Sequence, residues 1–431
     1  MKAFLKSIGP AIIVAAVVLG PGSILTSSKV GASFGVAALP VLVGSVVLMI
    51  AMVALAARLG VVYENSLCTE LSARLGRPIT VCIGIVLFGL VALFQSANNI
   101  AVIGGIEPIL GQEELGVGGR SLILIGINAL IILSLYTLRS LYSSIEQIMK
   151  LLIGLMILAF VANFAVVFLT PQNFEPVSSE KASDWLPLLG MIGTTFSIGG
   201  AFYQAYLVKE KGWGVDDIRK GQTDSVLSIT ILGTITAVIL LTAWRTSYGN
   251  PAATSLLSVG DVARQLEPLF GTAAKNIFCG GILAGALSSF LVNAMIGGTV
   301  LSDSLGKGSK LENDWPRHLT TLALLVGMIV AILSLLREGS AVGLITLAQA
   351  LTVLGIPALA LALIYLGTRK ELVGERKIPR LILVLAIVGF LISCVLACLT
   401  ASKVYQKLQP QEASISLTAP SENLGGLYCD T

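Results

Sequence analysis

The run Leu19-Gly20-Pro21-Gly22-Ser23 interrupts an apolar segment extending from about Ile8 to Phe34. Gly-Pro-Gly does not continue an α-helix smoothly. Pro21 lacks the amide donor, and the flanking glycines loosen the backbone. Inside a membrane, backbone groups freed in this way are tolerated only where protein buries them or where they line a cavity. A discontinuous first helix therefore points to a substrate site near the bilayer midplane. The plainer alternative is a proline kink with no ligand.

Composition places this break in a membrane. Of 431 residues, 55% are hydrophobic and 12% charged, and the mean hydropathy is +0.89. Apolar runs of about 18 residues or more recur along the chain, each able to cross ~30 Å of hydrocarbon. This excludes a soluble domain and predicts an all-α polytopic membrane protein. Eleven spans are expected, at about 8–34, 36–58, 79–105, 121–138, 145–170, 186–208, 225–244, 272–302, 318–336, 341–367 and 381–402. The 45 glycines suit close helix packing, as in Gly281-Ile282-Leu283-Ala284-Gly285. The six cysteines show no metal or disulfide spacing, and Cys394 and Cys398 read as packing residues on one helix face. The basic start leads into an apolar run without a small-residue cleavage site, which predicts a retained first helix.

Loop charge gives an orientation. With the N-terminus inside, about eighteen Lys and Arg fall on the inner side and seven on the outer. The N-terminus is thus expected in the cytoplasm and, after eleven spans, the C-terminus outside. A polar tail over about 405–431 is expected to be mobile. The same asymmetry accounts for the net charge of +4, so no nucleic-acid partner is implied. The expected partners are the lipid bilayer and a transported small solute or ion.

The sixth span carries a second interruption, Phe196-Ser197-Ile198-Gly199-Gly200-Ala201. Each glycine weakens a helix by ~1 kcal/mol relative to alanine. Spans one and six lie five apart. Matching breaks in two five-helix halves are what an inverted repeat predicts, although glycines also serve plain helix packing.

Several strings together resemble the Nramp (natural resistance-associated macrophage protein) type of divalent-metal transporter. They are Gly9-Pro10 with Pro21-Gly22 and the run 31–35, then Leu55-Ala56-Ala57-Arg58-Leu59-Gly60-Val61-Val62, and Leu283-Ala284-Gly285-Ala286-Leu287-Ser288-Ser289. Gln349 and Pro357 fall where that family's tenth helix has such residues. The resemblance runs from about Gly9 to Gly367. It implies a LeuT-type 5+5 inverted repeat with discontinuous helices one and six. The repeats would cover about 8–170 and 186–367, with an extra helix at about 381–402 and a transporter domain over 1–404.

The chain departs from the family at the site itself. The family holds its metal with Asp-Pro-Gly-Asn in helix one and Met-Pro-His in helix six. Here Gly20 stands at the Asp position, Ser23 at the Asn, Ser197 at the Met and Gly199 at the His, with Gly200 beside it. The third-helix acids of its proton route align with a segment holding Gln95, Asn98 and Asn99 and no carboxylate. A bare divalent ion is costly to hold without carboxylates. Neutral oxygens of Ser23, Ser197, Gln349 and freed carbonyls remain to bind a partly hydrated one. The expected substrate-binding set is Gly20, Gly22, Ser23, Ser197, Gly199, Gly200 and Gln349, and no metal ligand is assigned.

Lys29 lies ~9 Å beyond Ser23 along the helix. A lysine within a span either serves function or snorkels to the interface. If functional, it repels a cation, attracts a carboxylate or takes a coupling ion's place by its own protonation, with Ser27 and Ser28 hydrating or orienting its ammonium. Asn98, Asn99, Tyr203 and Gln204 join it as expected pathway residues, although a tyrosine at 203 also fits a plain core. Glu70 and Arg74 read as an i, i+4 surface pair. Asp224 reads as a helix cap or inner-gate residue, and His318 as interfacial. No nucleophile–base pair or phosphate loop is present, so neither an enzyme nor a cofactor is expected.

The leading functional expectation is a secondary carrier of an inorganic divalent cation in a prokaryotic inner membrane. The first alternative is a carrier of a small zwitterionic or anionic organic solute, held by half-helix N-termini and Lys29. The second is a non-transporting homologue.

Overall fold

The apolar runs fold as helices wherever the chain is described, with one break at Leu19-Gly20 and a second at Phe196-Ser197, just ahead of Gly199-Gly200, which are helical. The computed structural model describes residues 9–110, 115–138, 141–171, 185–249, 259–336 and 355–408. The first span divides into α1 (Ala11–Val18) and α2 (Pro21–Phe34), followed by α3 (Leu39–Val62). A short α4 (Leu67–Leu75) leads to α5 (Arg77–Leu110), α6 (Val117–Thr137) and α7 (Leu141–Leu169). The sixth span divides into α8 (Leu186–Thr195) and α9 (Ile198–Glu210). Then come α10 (Ile218–Ser247), α11 (Val259–Ser304), α12 (Asp314–Leu335), α13 (Gly355–Gly367) and α14 (Arg380–Leu408). No strand occurs among the described residues.

Apart from the short α4, which lies between the second and third expected spans, these helices fall on the expected spans. Of the tenth, only Gly355–Gly367 is described, so Gln349 lies outside the described residues, as does the tail over 409–431. α14 continues past the expected boundary at 402. Within α11, Gly271 takes φ 83°, a left-handed conformation that suits glycine, and the transmembrane part follows it.

Packing sorts the helices into two groups. α11 lies against α5, α7 and α12, and α6 rests on α12 and α5. α10 lies against α2, α3 and α1, while α9 packs on α3 and α8 on α2. α1 touches both groups, meeting α10 and α9 on one side and α11 and α7 on the other. All eight residues of α1 are buried. The outer faces of α6 and α14 instead expose Leu122, Leu130, Leu133, Leu381 and Leu391, as a lipid-facing surface requires.

Buried carboxylates tie helix ends together. Asp224 at the start of α10 accepts hydrogen bonds from Gly9 N (2.6 Å), Ala11 N (2.8 Å) and Ser228 Oγ (3.2 Å). It caps α1 rather than its own helix. Asp303 near the end of α11 accepts from Ser66 Oγ (2.6 Å), Cys68 N (3.2 Å) and Tyr206 OH (2.8 Å), joining α11 to the N-terminus of α4 and to α9. Each supplies an acceptor to amides that a helix start leaves unpaired.

The Glu70–Arg74 pair is present, but it is not the surface pair expected. Glu70 is buried, and Arg74 reaches on to Glu371 (2.5 Å) beyond α13 while stacking over the Tyr63 ring. Hydrogen bonding to Arg74 holds the Glu371 carboxyl below the usual carboxylate range. His318 is exposed and pairs with Tyr136 OH at 2.9 Å, in keeping with an interfacial place.

Candidate substrate site

The first break is built by two adjacent backbone changes. Leu19 closes α1 with φ −75° and ψ 34°, and Gly20 is extended with φ −75° and ψ 177°. Pro21 then opens α2 at its first position, where its missing amide hydrogen removes no helical bond.

A helix end leaves four carbonyls without helical donors. At α1 three of them meet serine hydroxyls. Ser288 Oγ lies 3.0 Å from Ala16 O, and Ser289 Oγ donates to Val17 O at 2.8 Å. Ser23 Oγ donates to Val18 O. Ser288 Oγ is also 2.9 Å from Gly285 O, so its one proton is shared between two carbonyls. Leu19 O, in a fully buried residue, accepts no hydrogen bond among the described residues. Ser23 therefore stands at the break as expected, with its proton directed back at α1.

The second break is looser. Phe196 (φ −89°, ψ 63°) and Ser197 (φ −85°, ψ 92°) separate α8 from α9. Ser197 precedes α9 without capping it through its side chain, and both Ser197 and Gly199 are half-exposed. The two breaks are apposed. A Cβ on Gly200 would lie 3.2 Å from Val14 Cγ1 and 3.4 Å from Val17 Cγ1, so the missing side chain lets α9 close on α1. At Gly199 the nearest neighbour would be Leu87 Cδ1 at 3.6 Å, an ordinary contact. The structure thus brings Gly200, with Ser197 beside it, against α1 next to the break that holds Gly20, Gly22 and Ser23, while position 199 faces Leu87 of α5.

The other expected pathway residues are dispersed. Asn98 and Asn99 are buried in an amide network. Gln95 Nε2 donates to Phe290 O (2.6 Å), Asn98 Nδ2 to Gln95 Oε1 (2.6 Å), and Asn128 Nδ2 to Asn99 Oδ1 (2.8 Å). Neutral amides fill this part of α5 and bind it to α11 and α6. Tyr203 is buried and stacks on Tyr206. Gln204 is fully buried, and both of its amide atoms lack partners. Lys29 is half-buried and engaged, whereas the Ser27 and Ser28 hydroxyls are buried without partners and do not orient it.

The roles of Ser288, Ser289 and Asp303 were not legible from sequence. Ser288-Ser289 entered only as part of a resembling string, and nothing in their spacing tells which carbonyls they reach. Among the described residues, no group of three or more His, Cys, Asp or Glu is placed to hold a metal ion.

Two discontinuous helices apposed within an all-α membrane-spanning bundle define the class of secondary carriers built on the LeuT-type fold. Residues 11–402 match the family described as natural resistance-associated macrophage protein-like, and the chain belongs to that family. It is 24% identical over 309 residues to the divalent metal cation transporter MntH of Klebsiella pneumoniae (strain 342), covering 70% of this chain and 72% of that protein. MntH of Verminephrobacter eiseniae is 23% identical over 332 residues, with 73% and 72% covered. The manganese transporter of Eremococcus coleocola superposes with a TM-score of 0.76 at 19% identity, over 96% of this chain and 90% of that one. Mhp1, a nucleobase-cation-symport-1 family transporter in a closed conformation, gives 0.51 at 12% identity, over 93% of each.

Proposed function

We propose that this protein is a secondary carrier that moves a divalent cation across the membrane by alternating access, with the ion held between the two helix breaks. The observation that carries the reading is the apposition of Gly200 with Val14 and Val17, which brings the breaks together in a chain of this family. Membership and the similarity to manganese and divalent-metal transporters support the substrate class. The chemistry of the donors sets the manner of binding. Ser23, Ser197 and backbone oxygens carry no net charge, so they replace only part of an ion's hydration shell. The ion is carried with water still bound, and Gln349 is assigned to the same site.

Two finer features belong to this reading. The N-terminus lies in the cytoplasm and the C-terminus outside, supported by the loop Lys and Arg asymmetry. The two halves, about 8–170 and 186–367, are inverted repeats around the site, and the protein does no covalent chemistry. The test is uptake of manganese and magnesium into proteoliposomes. Saturable uptake that Gly199→Trp abolishes supports the reading, and failure of both ions to enter overturns it.

A further inference from the structure

A groove runs between α5 and α13 on the outer wall of the bundle. Ile79, Cys82, Val86 and Leu90 line it from α5, and Ala358 and Leu359 from α13. Among the described residues no charged side chain lines it. Ile79, Cys82, Val86 and Ala358 are exposed, so one side of the groove is open. α5 is long and apolar enough to cross a membrane, and α13 is an apolar helix beside it, so the open side faces hydrocarbon. One end is closed: a Cβ on Gly355 would lie 2.3 Å from Leu90 Cδ1, which puts the two helices in contact there. The helices run antiparallel. Gly355 starts α13 against the middle of α5, whereas Glu371, past the other end of α13, pairs with Arg74 just ahead of α5. That second end carries exposed cations, Arg77 at the start of α5 and Lys370 after α13.

From this arrangement we infer that the groove binds one acyl chain of an anionic phospholipid, with the headgroup at the Arg77 end. The inference goes beyond carriage of a divalent ion and does not rest on it. Three observations choose the occupant. From Ile79 to Leu90 the helix rises ~16 Å, about half of a ~30 Å hydrocarbon core, so the groove has the depth of one leaflet. Its volume of about 240 Å³ suits a slender chain, because pockets for drug-sized molecules run to ~300–1,000 Å³. Its open end lies where Arg77 and Lys370 are exposed, and cations at the membrane surface attract anionic headgroups.

Leu87 gives this site a consequence for the rest of the bundle. It lines the groove, and it is buried. Its Cδ1 is also the atom that a Cβ on Gly199 would meet, at 3.6 Å. Leu87 is therefore the partition between the groove and the second helix break. A chain in the groove fills the space behind Leu87 and holds it toward α9. An empty groove leaves that side of Leu87 without packing, and the side chain is free to withdraw. Lipid occupancy thereby biases the conformation of the break.

The test is photo-crosslinking of the purified full-length protein in detergent, with a phosphatidylglycerol that carries a diazirine at the end of one acyl chain. Adducts are expected at 86–90 and 355–359, in excess of those on the exposed faces of α6 and α14. Unlabelled phosphatidylglycerol is expected to compete them away, and phosphatidylcholine is not. Ala358→Trp puts an indole into the groove and is expected to lower these adducts at least roughly tenfold, with those on α6 and α14 unchanged. If that variant does not fold, Cys82→Phe makes the same test from α5. Adducts no denser in the groove than on α6 and α14 overturn the inference. So do equal competition by the two lipids and crosslinks to a second copy of the chain in place of lipid. Hydrogen exchange reads the link through Leu87. Phosphatidylglycerol is expected to slow exchange at 195–201 in the wild type and not in Leu87→Ala, and an unchanged rate in the wild type overturns the link. All readings are made without divalent ions, so they stand or fall apart from manganese or magnesium uptake.

Discussion

A Cβ on Gly20 would overlap Ser289 Oγ and come within 3.0 Å of Ser289 Cβ. Position 20 is where the family resemblance places an aspartate, and Ser289 occupies the space that such a side chain needs. A side chain at position 20 therefore requires the Ser289 hydroxyl to move.

Restoring the carboxylate alone is therefore expected to fail. Gly20→Asp forces Ser289 off Val17 O and overpacks the break, at a cost of ~1–3 kcal/mol. Combined with Ser289→Gly the fold recovers, and adding Ser197→Met produces manganese binding. Melting temperatures with and without manganese check this. A single Gly20→Asp variant as stable as the wild type would show that Ser289 does not fill that space.

Asp224 holds the N-terminus of α1 through Gly9 N and Ala11 N. Asp224→Ala removes both acceptors from buried amides, and ~1.5–3 kcal/mol is expected for each charge-assisted bond lost. Amide exchange at residues 9–13 is expected to accelerate more than in the body of α10. Uniform acceleration would assign Asp224 a general structural role.

The amide network on α5 cannot titrate. Gln95→Ala leaves Phe290 O and the Asn98 amide without a partner, with an expected loss of ~1–3 kcal/mol per buried group. Because Gln95, Asn98 and Asn99 stand where the family resemblance places acids, uptake is expected to persist when a protonophore collapses the proton gradient. Abolished uptake would place a proton route elsewhere in the chain.

The clamp between Arg74 and Glu371 has a defined pH sign. The folded-state carboxyl is held below its ordinary value. Its contribution is therefore present above the unfolded glutamate pKa of ~4.3 and is lost as pH falls through the lower folded value. Glu371 is half-exposed, so screening keeps the effect small. The melting difference between wild type and Glu371→Gln is expected to hold from pH 7 to about 5 and to vanish in stronger acid.

The breaks were legible in the sequence because backbone chemistry writes them there. Pro21 between two glycines does not continue an apolar helix, and Gly199-Gly200 five spans later weaken one, although the second break itself falls just ahead of them at Phe196-Ser197. The resemblance to the family was carried by Pro21-Gly22 and otherwise by strings away from the breaks, such as 55–62 and 283–289. What was not legible is which side chains answer the freed groups. Ser288 and Ser289 lie more than two hundred and sixty positions from the carbonyls they reach. Likewise, Glu70 and Arg74 read as a surface pair because i, i+4 spacing reveals the pair but not the Glu371 that comes over it.

The most direct test of the central claim is tracer uptake of manganese and magnesium into proteoliposomes by the wild type and by Gly199→Trp. A Cβ at Gly199 would meet only Leu87 Cδ1 at 3.6 Å, so the substitution begins without a backbone clash, and the variant is compared at a melting temperature close to that of the wild type. Saturable divalent uptake in the wild type, and none in the variant, is the predicted result. No divalent uptake by the wild type, or equal uptake by both proteins, would contradict a cation path between the two broken helices.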